Sequence, residues 1–166
     1  MNYITDKLKT YLQDWSLHFI RSKDVIAKKI ADIAENTENV DILVNFNDGK
    51  KQAIAVVPLL DDANAVDSIF KKLKPFKEQK NKTALFLFNT SSNLKKVIAE
   101  WQKLAAFDMQ FMIVFVNPFS NTDHKWCLFP QTHHSLSDKS ALETGLKSLF
   151  GAVGAITEEE LNRKIK

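Results

Sequence analysis

Apolar residues recur along this chain in two rhythms, and the switches between them predict its elements. Residues 4–14 carry Ile4, Leu8, Tyr11 and Leu12 at the three-to-four spacing of an amphipathic helix. Trp15, Leu17 and Phe19 then alternate with Ser16 and His18, the period-two rhythm of a short strand. Over 22–38, Ile26, Ile30, Ile33 and Ala34 return to one helical face, with Ser22 or Asp24 as its cap. The stretch "NVDILVNFNDGKKQAIAVVP" (39–58) reads as a hairpin. Val40, Ile42 and Val44 alternate with Asp41, Leu43 and Asn45, and Asp48-Gly49 marks a tight turn with positive φ expected at both positions. Its second half is apolar almost throughout, as in a strand covered on both faces, with Pro58 at its end.

Downstream, a helix begins at Asp61 or Asp62, buries Val66, Ile69, Phe70 and Leu73, and is limited by Pro75. "TALFLFN" (83–89) and "MQFMIVFVNP" are buried strands, separated by a helix over 91–107 capped by Ser91 or Ser92. "KWCLFP" (125–130) follows as a strand after a polar loop. "SDKSALETGLKSLFG" is a helix capped by Ser137 or Ser140 with Gly151 past its end, and Thr157 with Glu160 has capping-box spacing for a last helix. Buried strands alternating with amphipathic helices predict an α/β class, a three-layer α/β/α arrangement with a mixed central sheet. One globular domain over 1–166 is expected, with a core of about 22–150 and the N-terminal and C-terminal helices appended.

Composition narrows the function classes. At 45% hydrophobic and 26% charged residues, the chain has the make-up of a folded globular protein rather than a disordered one. Its lone cysteine, Cys127, excludes an internal disulfide framework and fits a reducing compartment. The beginning of the chain has no continuous apolar segment of a secretory signal, and the longest apolar run, "FMIVFV" (111–116), is too short to span a bilayer. A cytoplasmic location without a membrane is therefore expected. Net charge is +3, and nearly every base is lysine, with only Arg21 and Arg163 as arginines. Arginine supplies the planar fork that reads guanine or clamps phosphate bidentately, whereas lysine is a flexible point charge. The pattern points away from sequence-specific DNA reading and leaves non-specific backbone contact open, beside the plainer role of lysine as a solvated surface residue.

The element order helix, hairpin, helix, strand, helix, strand, together with the hairpin itself, resembles the restriction-endonuclease-like (PD-(D/E)xK) superfamily over about 22–116. The resemblance implies a fold of that type and a hairpin in which an Asp on the first strand is followed by Glu-x-Lys on the second. It also implies that the two carboxylates hold Mg²⁺ while the lysine assists the attacking water, chemistry that suits a hard cation and phosphoryl charge. Asp41 falls on the Asp position, but Ala55 stands at the Glu position and Val57 at the Lys position. Alanine ligates no cation and valine polarises no water, so the motif is degenerate and no cofactor is expected. A relocated site would draw on Asp61, Asp62, Asp67 or Glu78, with Lys50 or Lys51 for the lysine, and would then need Mg. The simpler reading makes those acids helix-start charges and places the two lysines beside an exposed turn.

Two further groups carry chemistry. "KKLKPFKEQKNK" (71–82) gathers Lys71, Lys72, Lys74, Lys77 and Lys80 around Phe76, a candidate nucleic-acid contact through phosphates and one stacked base, or else a solvated helix end. His133 and His134, beside Ser135 and Ser137, form a candidate polar pocket. With Asp123, His124 and Cys127 they are zinc-competent in type but lack paired ligand spacing. The expected function is a non-catalytic binding or interaction module of nuclease-like fold, its partner a protein or non-specific nucleic acid. The alternatives are a metal-dependent nuclease with relocated groups around Asp41 and a small cytosolic chaperone or assembly factor.

Overall fold

The computed structural model describes residues 3–37 and 39–165. The side chain of Ile4, and Glu38 and Lys166 at the ends of two expected helices, lie outside the described residues. The elements are α1 (Tyr3–Ala27), β1 (Ile30–Glu35), β2 (Ile42–Phe46), β3 (Lys51–Val56), α2 (Ala65–Glu78), β4 (Lys82–Phe88), α3 (Ser91–Ala99), α4 (Trp101–Phe107), β5 (Phe111–Val116), β6 (Lys125–Leu128), α5 (Pro130–Leu136), α6 (Lys139–Val153) and α7 (Glu158–Lys164). The strands form one mixed sheet in the order β1-β2-β3-β4-β5-β6. β1, β2 and β3 are an antiparallel meander, β3, β4 and β5 run parallel, and β6 returns antiparallel.

The mixed α/β class follows from the apolar strands. β4 and β5 are buried along nearly their whole length because helices cover both faces. On one face Leu85, Leu87, Ile113 and Phe115 pack with Val66, Ile69 and Leu73 of α2 and Val97 and Leu104 of α3 and α4. On the other, Ile54, Phe86 and Val114 pack with Leu8, Leu12, Leu17 and Ile20 of α1 and Leu161 of α7.

The chain before the hairpin departs from expectation. Residues 15–20 are helical, not a strand: Trp15 and Phe19 stack one turn apart at 5.3 Å, and the buried Ser16 hydroxyl bonds the Leu12 carbonyl at 2.7 Å. The helix expected over 22–38 instead ends α1 and forms β1. Lys28 adopts a left-handed φ of 49°, and the Asp24 carboxylate accepts from the Lys29 and Ile30 N–H groups, which turns the chain out of the helix. The spacing that reads as helical comes from a β-bulge between Ile30 and Asp32. One extra residue shifts the strand's phase, so Ile30 and Ile33 both pack on the α1 side of the sheet.

Smaller corrections concern ends and caps. α2 starts at Ala65 and runs through Pro75 to Glu78. The 91–107 helix is two, divided at Glu100, and Thr90 caps the first by accepting from the Asn93 N–H. Asp138, not a serine, caps α6, which passes Gly151 and stops at Gly154 with φ 89°. A short helix, α5, stands between β6 and α6, while Thr157 caps α7 through the Glu160 N–H as its spacing predicts. Of the hairpin pair Asp48-Gly49, only Gly49 has positive φ, at 84°. Its N–H bonds the Phe46 carbonyl and Phe46 N–H bonds the Lys50 carbonyl, the three-residue loop with a glycine bulge.

Candidate functional site

Because β3, β4 and β5 run parallel, the sheet has a carboxyl end and an amino end, and the polar residues divide between them. Asp41 lies at the carboxyl end, immediately before β2 and beside the last residue of β3. Its Oδ2 accepts from the Val56 N–H at 2.7 Å, and its Oδ1 pairs with the Lys9 ammonium of α1 at 2.8 Å. Gln13 of α1 bonds the Asn36 side chain and the Asp41 carbonyl beside it. Ala55 is buried in the opposite core and Val57 packs against that same core. Among the described residues no three His, Cys, Asp or Glu side chains gather where they could hold a metal ion. Asp41's carboxylate is instead neutralised by a cation and tied to a backbone donor, a donor set that does not fit Mg²⁺.

The rest of the carboxyl end is filled by amide side chains. Asn93 accepts from the Leu60 N–H and donates to the Pro58 and Phe88 carbonyls. Asn89 donates to the Phe150 and Gly154 carbonyls and accepts from the Trp126 indole at 2.8 Å. Asn117 donates to Gly154 as well. These groups close the crevice in which open α/β sheets commonly bind ligands.

The amino end is built differently. The α1–β1 turn brings Lys28 and Lys29, the β2–β3 turn Lys50 and Lys51, and the α2–β4 turn Lys80 and Lys82, all around one pocket of about 490 Å³ floored by Phe46 and Asn81. Asp48 is the carboxylate at its rim, and its Oδ1 is held by the Lys50 N–H within the turn. No ion pair among the described residues engages any of the six lysines. Six lysines against the single Asp48 carboxylate give the pocket a positive charge, which favours an anionic occupant.

The expected lysine run is thus divided. Lys80 lines the pocket, whereas Lys71, Lys72 and Lys74 are exposed on α2 with Lys74 near Glu78, and Lys77 lies over the Phe107 ring at 5.1 Å. Lys28 and Lys29 were not singled out by the sequence, Lys50 and Lys51 were weighed only for a relocated nuclease site, and Lys82 closes the charged run without being named as a contact. The available signal was a lysine pair or single lysine beside each of three turns at one end of the sheet. Asp61, Asp62 and Asp67 lie before or at the start of α2, where Asp62 bonds the Asn64 N–H and Asp67 pairs with Lys103.

His133 and His134 sit on α5. His134 Nδ1 accepts from the Trp101 indole at 3.0 Å at the edge of a cleft of about 280 Å³ that also includes Ser137 and Glu143. His133 Nδ1 instead lies 3.0 Å from the Phe129 carbonyl, outside that cleft. Cys127 is half-buried on β6, and burial raises its thiol pKa, which favours the protonated thiol.

No helix among the described residues is long and apolar enough to cross a membrane. Comparison with protein families, with curated proteins and with solved structures finds no match to this chain.

Proposed function

We propose that this chain is a non-catalytic binding module of nuclease-like frame that grips the phosphate backbone of nucleic acid without reading its sequence. The observation that carries the reading is the convergence of Lys28, Lys29, Lys50, Lys51, Lys80 and Lys82 on one pocket with no ion pair among the described residues. Phosphate contact by lysine is electrostatic and indifferent to base identity. The frame is supported by the element order: helix α1, hairpin β2–β3, helix α2, strand β4, further helices and strand β5, with β1 interposed before the hairpin. The loss of catalysis is supported by Ala55 and Val57 at the motif positions and by the commitment of Asp41 to Lys9 and Val56.

Fluorescence anisotropy with a labelled oligonucleotide, titrated at several salt concentrations, tests this. Binding at low salt that weakens steeply with salt is expected. Each phosphate contact on a single strand contributes about 0.7 to the slope of log K against log salt, so Lys50→Gln with Lys51→Gln lowers that slope by roughly 1.4. Absence of binding at low salt overturns the reading. Incubation of plasmid with Mg²⁺ or Mn²⁺ is expected to leave it intact. Metal-dependent cleavage lost in Asp41→Asn, which keeps an acceptor for the Val56 N–H, would restore the nuclease alternative.

A further inference from the structure

The lysine pocket opens into a second, larger space. An apolar groove of about 720 Å³ runs between the C-terminal half of α1 and the first turn of α5, over the amino ends of β3, β4 and β5. Lys29, Phe46, Lys82 and Gln110 line both spaces, so the charged pocket and the groove are continuous. The size is that of a ligand cleft rather than a packing defect.

The groove's lining has two characters. Phe19, Phe46, Met112 and Phe129 offer rings and a thioether, while Gln52, Gln110 and Thr132 place polar side chains among them and Lys23 and Asp24 add a charge of each sign. No hydrogen bond to a described residue occupies the side chains of Gln52, Gln110 or Thr132, although each can both donate and accept. A wholly alkyl occupant would leave those amides unpaired, which is costly in a desolvated site. A nucleobase meets both requirements, with a flat face for rings and thioethers and a polar edge for amides. A duplex hides its base faces in the stack, whereas a single strand can turn them outward while its phosphates remain at the lysines.

We propose that the groove and the lysine pocket together form a site for single-stranded nucleic acid, with the phosphates at Lys28, Lys29, Lys50, Lys51, Lys80 and Lys82 and unstacked bases in the groove. This rests on the reading of the lysine pocket as a phosphate site and adds a preference for single strands. The groove's open rim is set by Met109, 67% exposed, and by Phe129, so neither is needed for the core.

The test compares four probes on the full chain: a short single-stranded oligonucleotide, its duplex, an abasic oligomer of the same length and charge, and dodecyl phosphate. Binding of the single strand at least roughly fivefold tighter than the abasic oligomer or the duplex is expected, the loss of one stacked base being worth that much or more. Met109→Ala, Phe129→Ala and Gln110→Ala should each weaken binding of the single strand while leaving the abasic oligomer unaffected. Equal affinity for single strand, duplex and abasic oligomer overturns the groove's role and leaves the lysine site standing. Binding of dodecyl phosphate with no discrimination between single-stranded and abasic oligomers overturns it in favour of an acyl-chain ligand. No binding of any probe removes the lysine site and this inference together.

Discussion

The two ends of the sheet solve opposite problems with polar residues. At the carboxyl end, the amides of Asn89, Asn93 and Asn117 and the Asp41 carboxylate are each matched to a partner inside the protein. At the amino end, six lysines meet around an open pocket with no ion pair among the described residues. A satisfied polar network holds a structure in place, because any member that loses its partner bears the cost of desolvation. Unpaired charge on a rim adds nothing to the fold and leaves its interaction energy for a ligand. The difference teaches that the end carrying Asp41 spends its polar groups on stability, and the end lined by lysines leaves its charge unpaired.

The sharpest way to break this comparison is Asn93→Ala. It strands the buried Leu60 N–H and removes the amide donor from the Pro58 and Phe88 carbonyls, which keep only the Phe88 and Thr90 N–H groups, so a loss of about 2–3 kcal/mol is expected in chemical denaturation. A loss within experimental scatter would mean that water replaces the amide and that the carboxyl end is not closed. Next comes Asp41→Ala, which leaves the buried Val56 N–H without an acceptor and should cost about 1–3 kcal/mol. Asp41→Asn keeps the acceptor and loses only the half-exposed Lys9 pair, so its cost should be about 1 kcal/mol or less.

Asp138→Ala tests the far end of α6, whose last turn supplies the carbonyls bound by Asn89 and Asn117. The Ala141 N–H and then the Ser140 hydroxyl hold the Asp138 carboxyl below its ordinary pKa. The folded protein therefore releases this proton more readily than the unfolded chain. Its contribution is complete above the ordinary carboxylate range and is lost as pH falls through the lowered value. Wild type should melt higher than the variant at neutral pH, and the gap should close in acid; a gap that persists there contradicts the cap. The smallest effect, and the one of opposite sign, belongs to the amino end. Lys50→Gln with Lys51→Gln should leave stability unchanged or raise it by about 0.5 kcal/mol, an advantage that fades with added salt. Destabilisation would mean these ammonium groups already have internal partners.

The buried strands were readable from the chain because their signal is local. "TALFLF" and "FMIVFV" are apolar on both faces, and a strand covered on both sides has no other composition. β1 was not, because its bulge places Ile30 and Ile33 on one side with the spacing of a helix, and a bulge shows itself only against its partner strand. Caps were half readable. Thr157 falls where its capping-box spacing puts it, whereas Asp138 and Thr90 cap their helices in place of neighbouring serines equally suited by type. Of the lysine pocket, only Lys80 and Lys82 lay in the charged run that drew attention; Lys28 and Lys29, and Lys50 and Lys51, come from two turns far from it along the chain.

Sequence alone determined the α/β class, the apolar strands, the hairpin at Asp48-Gly49 and the absence of Glu and Lys from positions 55 and 57, since each is written in adjacent residues or in residue identity. Tertiary structure decided which charges are spent and which are free. Asp41 and Lys9 cancel because α1 crosses the start of β2, and six lysines converge because three turns end at one edge of the sheet. Coulomb interaction depends on distance in space, and separation along the chain carries no record of it.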